Sequence, residues 1–381
     1  MFMSLLFKEC KLILKSITYY VIAICMIGFV LFQMGEFDLR KPNPEDKTTF
    51  GYIRTNDKVV IMNEITKELQ LEYTENSYNT YPIGFIKVVN LEEEDKEKVS
   101  EILEEINSGK LDINKEDNFD EFLNRMNTVS QIIGKGCKYE EDNIKMVSVQ
   151  ATYEQALERY NKILEEDHVS AAVARYFCDY AVIDASIMPV FLAVSVALRD
   201  KKAKSKQVIY SRRTSSISIV LARYLSVVIM LLIPINIAAI FEDTQCIYYA
   251  KGHGIDPDYT AFFKGIFGWI MPSIMISSAV GFLFTEVFKG VWAIFIQLAW
   301  WFIRLLSNKD LVGGIGLNLM PRFNELGSRD VYLSIYNELA INRLVYTFAS
   351  IVLVIITIYI YNLRREGRFN FNGKIFRNSE G

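Results

Sequence analysis

The apolar residues of this chain are gathered into long runs, with the polar residues between them. Six runs stand out: Ile17 to Met34, Tyr176 to Leu198, Ile217 to Phe241, Ala261 to Phe284, Val291 to Leu306 and Leu344 to Tyr361. The first holds 18 residues. As a helix it covers about 27 Å, close to a hydrocarbon core of about 30 Å. The second run carries Asp179 and Asp184, and the fifth is short and aromatic. Pro189, Pro234 and Pro272 fall inside three runs. Neighbouring helices can satisfy the carbonyls a proline frees, so six spans are expected. Lys8, Lys11 and Lys15 lie at i, i+3 and i+7 before the first run. This is the pattern of a helix lying in the headgroup plane. The first run has no small-x-small cleavage pattern after it and reads as a retained signal anchor.

Between the first two runs lies an acidic block. Of the 45 acidic residues, 30 fall between Glu36 and Asp167. Its pattern predicts short strands at Thr49 to Ile53 and Lys58 to Met62, then a helix over Glu64 to Glu72 capped by Asn63. Val99, Ile102, Leu103 and Ile106 have helical period, as do Phe119, Phe122, Leu123, Met126 and Val129. Tyr153 to Glu166 is helical in pattern and has no Pro or Gly, so one long helix is expected to run into the second span. The fold class expected is therefore mainly α: a polytopic membrane protein with six transmembrane helices and a mostly helical α+β extracytoplasmic domain between helices 1 and 2.

Charge sets the orientation. The segment Arg199 to Arg213 has seven basic residues, the N-terminal flank three lysines, and the tail Arg364, Arg365, Arg368, Lys374 and Arg377. Six crossings put all three flanks on one side, which the positive-inside rule makes cytoplasmic. The expected plan is an interfacial helix over 1–16, spans at 17–34, 171–198, 217–241, 261–284, 291–306 and 343–362, and an external domain over 35–170. Cytoplasmic pieces are 199–216, 285–290 and the tail 363–381. External pieces are 242–260 and 307–342, the latter as turns and short helices around Gly313-Gly314-Ile-Gly316.

Candidate chemistry is sparse. The net charge of −3 supplies no global basic field, so nucleic acid is not an expected partner. Five cysteines and two histidines show no metal spacing, and Cys137 and Cys246 are isolated. The patterns GxxxxGK[ST], HExxH and GxSxG are absent. Charges inside the runs are the remaining candidates, because each needs a partner or water. Arg175 and Asp179 stand at i, i+4 and are expected to pair on their own helix. Asp184 lies deeper and either faces a pathway or pairs with another helix, and Arg223 lies in the third run. In the basic segment, Val208, Ile209 and Tyr210 form a small apolar patch. The segment fits anionic lipid contact, and with that patch it also fits docking into a partner's groove.

The stretch Leu198-Arg-Asp-Lys-Lys-Ala-Lys through Val208-Ile-Tyr-Ser to Arg223-Tyr-Leu, with this layout around it, resembles the ABC-2 type transporter permeases. The resemblance implies a coupling helix around Asp200, Lys204, Val208, Ile209 and Tyr210 that contacts a separate cytoplasmic ABC ATPase. It also implies that two permease copies pair in the plasma membrane with both termini cytoplasmic. ATP and Mg²⁺ would belong to the partner subunit, with no cofactor or metal on this chain. It implies a non-enzymatic transport subunit for export. The rival expectation is a membrane-anchored sensor or scaffold with an extracytoplasmic ligand-binding domain. A polytopic membrane enzyme is disfavoured because no catalytic set is present.

Overall fold

The structure is a computed structural model that describes residues 2–35, 39–45, 50–82, 86–145, 147–204, 206–211, 213–306, 316–322 and 326–368. It is mainly helical, 73% helix. The chain divides into two compact units, one formed by 1–39 with 161–381 and the other by 40–160. Thr49, Ser205, the Gly313-Gly314 pair, and Lys374 and Arg377 of the tail lie outside the described residues.

Helix α1 (Phe2–Ile13) is followed at once by α2 (Ile17–Met34). Leu6 and Ile13 of α1 are buried while Lys8, Lys11 and Lys15 stay exposed, as an amphipathic helix requires. The bounds of α2 are those of the first apolar run.

The unit 40–160 contains β1 (Tyr52–Arg54), α3 (Lys58–Glu75), β2 (Tyr78–Thr80), β3 (Lys87–Val89), α4 (Glu93–Asn107), α5 (Phe119–Ile133), α6 (Glu141–Ile144), β4 (Ser148–Gln150) and most of α7 (Tyr153–Glu165). The strands form two antiparallel pairs, β1 with β4 and β2 with β3. The expected strand at 58–62 is instead the first turn of α3. Asp57 decides this, because its Oδ1 accepts from the amides of Val59 at 2.9 Å and Val60 at 3.1 Å. Asn63 caps nothing and donates to the Val59 carbonyl within the helix. Ile61, Met62, Ile65 and Leu69 then share one buried face. That face meets Val99, Ile102, Leu103 and Ile106 of α4 and Phe122, Met126 and Val129 of α5 in a single core. Both helical periods read from the sequence are the ones the core uses.

The expected continuous helix from 153 into the second span is two helices. Helix α7 stops at Glu165, and His168 and Val169 take positive φ of 49° and 63° before α8 (Ser170–Ala185) begins. A β-branched residue at positive φ is strained, so burial of Val169 must hold it there.

The second apolar run is also broken. Helix α8 and α9 (Met188–Lys202) meet at a 41° bend, with Pro189 in the first turn of α9. The break leaves carbonyls without helical partners. Gln297 and Trp301 of α14 (Trp292–Leu306) answer them, donating to Ser186 O at 2.7 Å and Ile183 O at 3.1 Å. After α9 comes the short α10 (Lys206–Tyr210), then α11 (Ser216–Gly252), whose 37 residues take in much of the loop expected at 242–260. Helix α12 (Ala261–Gly265) passes through a π-helical turn, Ile266–Ile270, into α13 (Met271–Phe288). Pro272 sits in the first turn after that wide stretch. Of the three prolines only Pro234 lies inside a helix. The last helix, α15 (Arg329–Arg365), absorbs 329–342 of the expected short-helix region.

Among the described residues, four helices are long and apolar enough to cross a membrane, or five if α8 and α9 form one span. The run at 291–306 forms a helix of only 15 residues, about 22 Å. Helix α15 leaves Leu344, Phe348, Ile355 and Tyr359 exposed, and α2 leaves Ile17, Ile24 and Phe32 exposed. Such faces are a liability in water and none in hydrocarbon. At the centre, α13 packs closely on α9. A Cβ on Gly281 would lie 2.7 Å from that of Ala193.

Candidate functional site

The basic segment folds back onto its own bundle. Lys204 is exposed, with φ of 52°, in the link between α9 and α10. Val208 is 58% exposed, whereas Ile209 and Tyr210 pack against the cluster of Ile219 and Val220 of α11 and Tyr361 of α15. The Tyr210 ring meets Tyr361 edge-on at 5.6 Å. Arg365 then fastens the segment from α15: its Nε donates to Tyr210 O at 2.8 Å and its Nη1 to Thr214 O at 2.6 Å. Ser216 donates to Asn362 at 2.9 Å. Three of the five residues expected to face a partner therefore face inward: Asp200, Ile209 and Tyr210. Lys204 and Val208 face outward.

Asp200 is buried because it belongs to a quartet of charges. The Arg223 Nη2 donates to its carboxylate, and the Arg223 Nε lies 3.5 Å from Glu9. Arg199 donates to the other Glu9 oxygen. Glu9, Asp200 and Arg223 are all under 10% exposed, and two acids against two arginines leave no formal excess. The quartet joins α1, α9 and α11. Beside it, Arg364 of α15 donates to Glu286 of α13 at 3.2 Å and to Val287 O at 3.0 Å. A cavity of about 270 Å³ lies between these groups, lined by Asp200, Tyr210, Arg223, Glu286, Tyr361 and Arg364 among others. Sequence reading found Arg223 and Asp200 but missed Glu9, whose signal was being the sole acid of a helix otherwise lysine-rich and apolar.

At the other end of the bundle, Arg175 and Asp179 do not pair with each other. The break after α7 turns Asp167 under Arg175, which donates to both its oxygens at 2.9 and 2.6 Å. Such a two-point contact outcompetes a single-helix i, i+4 pair. Arg329 at the start of α15 reaches the same carboxylate at 3.5 Å and Glu166 at 2.7 Å. Asp179 meets Arg322 at 3.4 Å. Asp184 is buried one residue before the end of α8, and its Oδ2 has no hydrogen bond among the described residues. No group of three His, Cys, Asp or Glu that would hold a metal is found among the described residues.

No protein-family model, curated protein or solved structure matches this chain.

Proposed function

We propose that this chain is the transmembrane subunit of an ATP-driven ABC-2 type exporter. In this reading α8 with α9 makes one crossing and α14 a short one, six in all, and both termini are cytoplasmic. The unit 40–160 is extracytoplasmic. Two copies enclose the pathway in the plasma membrane, and ATP and Mg²⁺ bind a separate cytoplasmic ATPase. The observation that carries the reading is the clamping of α10. It presents Val208 outward, next to the exposed Lys204 of the preceding link, while Arg365 and Tyr361 tie it to α15, and the adjacent quartet ties α9, α11 and α1 together. A push on α10 therefore reaches four helices through rigid, buried contacts, and interfaces of that kind move as bodies rather than flex. The basic residues Lys8, Lys11, Arg199 and Arg365 belong to these same elements, and Lys15 directly follows α1, which agrees with a cytoplasmic end.

The test is co-purification from native membrane in mild detergent, with mass spectrometry of bound proteins. A near-stoichiometric P-loop ATPase is expected, and Val208→Asp should release it without unfolding the chain, since Val208 is 58% exposed. If no ATPase accompanies the protein in any of several mild detergents, the reading fails and the sensor or scaffold alternative takes its place.

A further inference from the structure

A second and larger cavity, about 590 Å³, opens between α8, the α12–π–α13 segment and the N-terminal half of α15. Its volume falls in the range of small-molecule sites, roughly 300–1,000 Å³. Much of the wall is aromatic: Phe267, Trp269, Tyr332 and Tyr336. The π-helical turn supplies two of these, and such wide turns recur at functional sites.

Three cations line the cavity, Arg175, Lys264 and Arg343, against one acid, Asp258. Asp167 already answers Arg175, and Asp258 answers Lys264 at 3.2 Å. Arg343 has no carboxylate among the described residues. Its guanidinium donates to Trp269 O at 3.2 Å, Ser273 Oγ at 2.8 Å, Asn318 O at 3.1 Å, Leu319 O at 3.4 Å and the Asn342 Oδ1. All of these acceptors are neutral, so the hydrogen bonds of this buried group are filled and its charge is not balanced. A buried cation of this kind in an apolar bundle marks a ligand counter-ion position. Lys264, exposed at the mouth, keeps donors free for direct contact. Phe267 and Leu344, also exposed on the rim, extend an apolar track outward.

We propose that this cavity binds an amphiphile with an anionic head, carboxylate or phosphate, and an aliphatic tail. The head lies in the field of Arg343 and contacts Lys264, and the tail runs past Phe267 and Leu344. The site is independent of the transport reading, and its test needs neither ATP nor an ATPase.

The probe is a diazirine-bearing fatty acid, compared with the same chain carrying a phosphocholine head, photolysed with the full-length protein in neutral-detergent micelles. Peptide mass spectrometry should place the fatty-acid label on 266–272 and 336–347, at least tenfold above the phosphocholine probe. Ala340→Trp, which fills the cavity from α15, and Lys264→Glu, which cancels the excess positive charge from an exposed position, should each lower that label tenfold. Helical circular dichroism and gel filtration serve as folding controls. Competition by phosphatidylglycerol would identify a membrane phospholipid as the source, and competition only by free fatty acids a single-chain amphiphile. Equal labelling by both probes, or labelling unchanged in folded Ala340→Trp, would overturn the proposal.

Discussion

Glu9→Gln isolates the role of the charge quartet. The substitution keeps the size of the side chain and removes one of two negative charges, leaving Arg199 and Arg223 to share Asp200. Removing one member of a buried ion pair costs roughly 3–5 kcal/mol. Arg199 is 27% exposed, and water offsets part of its loss, so about 2–3 kcal/mol is expected. The element that opens is α1, which otherwise rests on α11, with Leu5 packed against the cluster of Ile219 and Val220. At about 1.4 kcal/mol per tenfold, its amides should exchange with solvent roughly 30 to 140 times faster. Hydrogen–deuterium exchange of α1 peptides in micelles measures this, with Lys8→Gln as the control because Lys8 is exposed. The double variant Glu9→Gln/Arg199→Gln leaves the neutral Arg223–Asp200 pair and should recover more than half of the lost protection. The reasoning is refuted if Glu9→Gln exchanges no faster than Lys8→Gln, or if the second substitution adds to the loss.

The other expectations concern packing and the unit 40–160. Gly281→Leu should cost at least about 1–3 kcal/mol by forcing α13 off α9, while Gly28→Ala, with open space around it, should cost nothing in the same thermal denaturation. Asp57→Ala removes the α3 cap and should cost about 1 kcal/mol, seen as faster exchange of the Val59 and Val60 amides. Tyr139 is buried and its hydroxyl donates to Glu72 at 2.6 Å. Burial first, then Glu72, holds its ionisation above the usual phenol range, and burial pushes neighbouring Tyr78 up to about 12. A pKa raised on folding means the unfolded chain releases its proton first. Stability should therefore be full below pH about 10 and fall as pH rises from there towards 12. Tyr139→Phe should flatten that fall in urea titrations at pH 8 to 11.5.

Local periodicity was legible where one face of a helix meets one core. The buried set of α4 was read residue by residue and that of α5 at four of its five positions, Leu123 being only partly buried and Ile133 missed, because polar positions between them mark the period. The bounds of α2 were legible for a different reason, since lipid permits an unbroken run and the charges stop where it ends. At 58–62 β-branched residues suggested a strand, yet one aspartate at position 57 committed the segment to helix. The prolines carried more information than was taken from them. Pro189 and Pro272 stand just after the two irregularities of the bundle, where a missing amide hydrogen costs least.

The charges show where sequence reasoning stops. A partner at i, i+4 is visible in a sequence, so Arg175 was assigned to Asp179. The real partners are set by a backbone break whose left-handed Val169 has no sequence signature. Glu9 meets Arg199 across 190 positions of chain, a separation over which pattern carries no register. Long apolar runs conceal more still, because a helix apolar on every side does not say which face meets protein and which meets lipid. Arg343 stands at the first position of the expected sixth span and was not singled out as a candidate, yet the fold buries it against three backbone carbonyls. That burial follows from α15 starting fifteen residues before its apolar run, which places the arginine about two fifths of the way along the helix and not at its end.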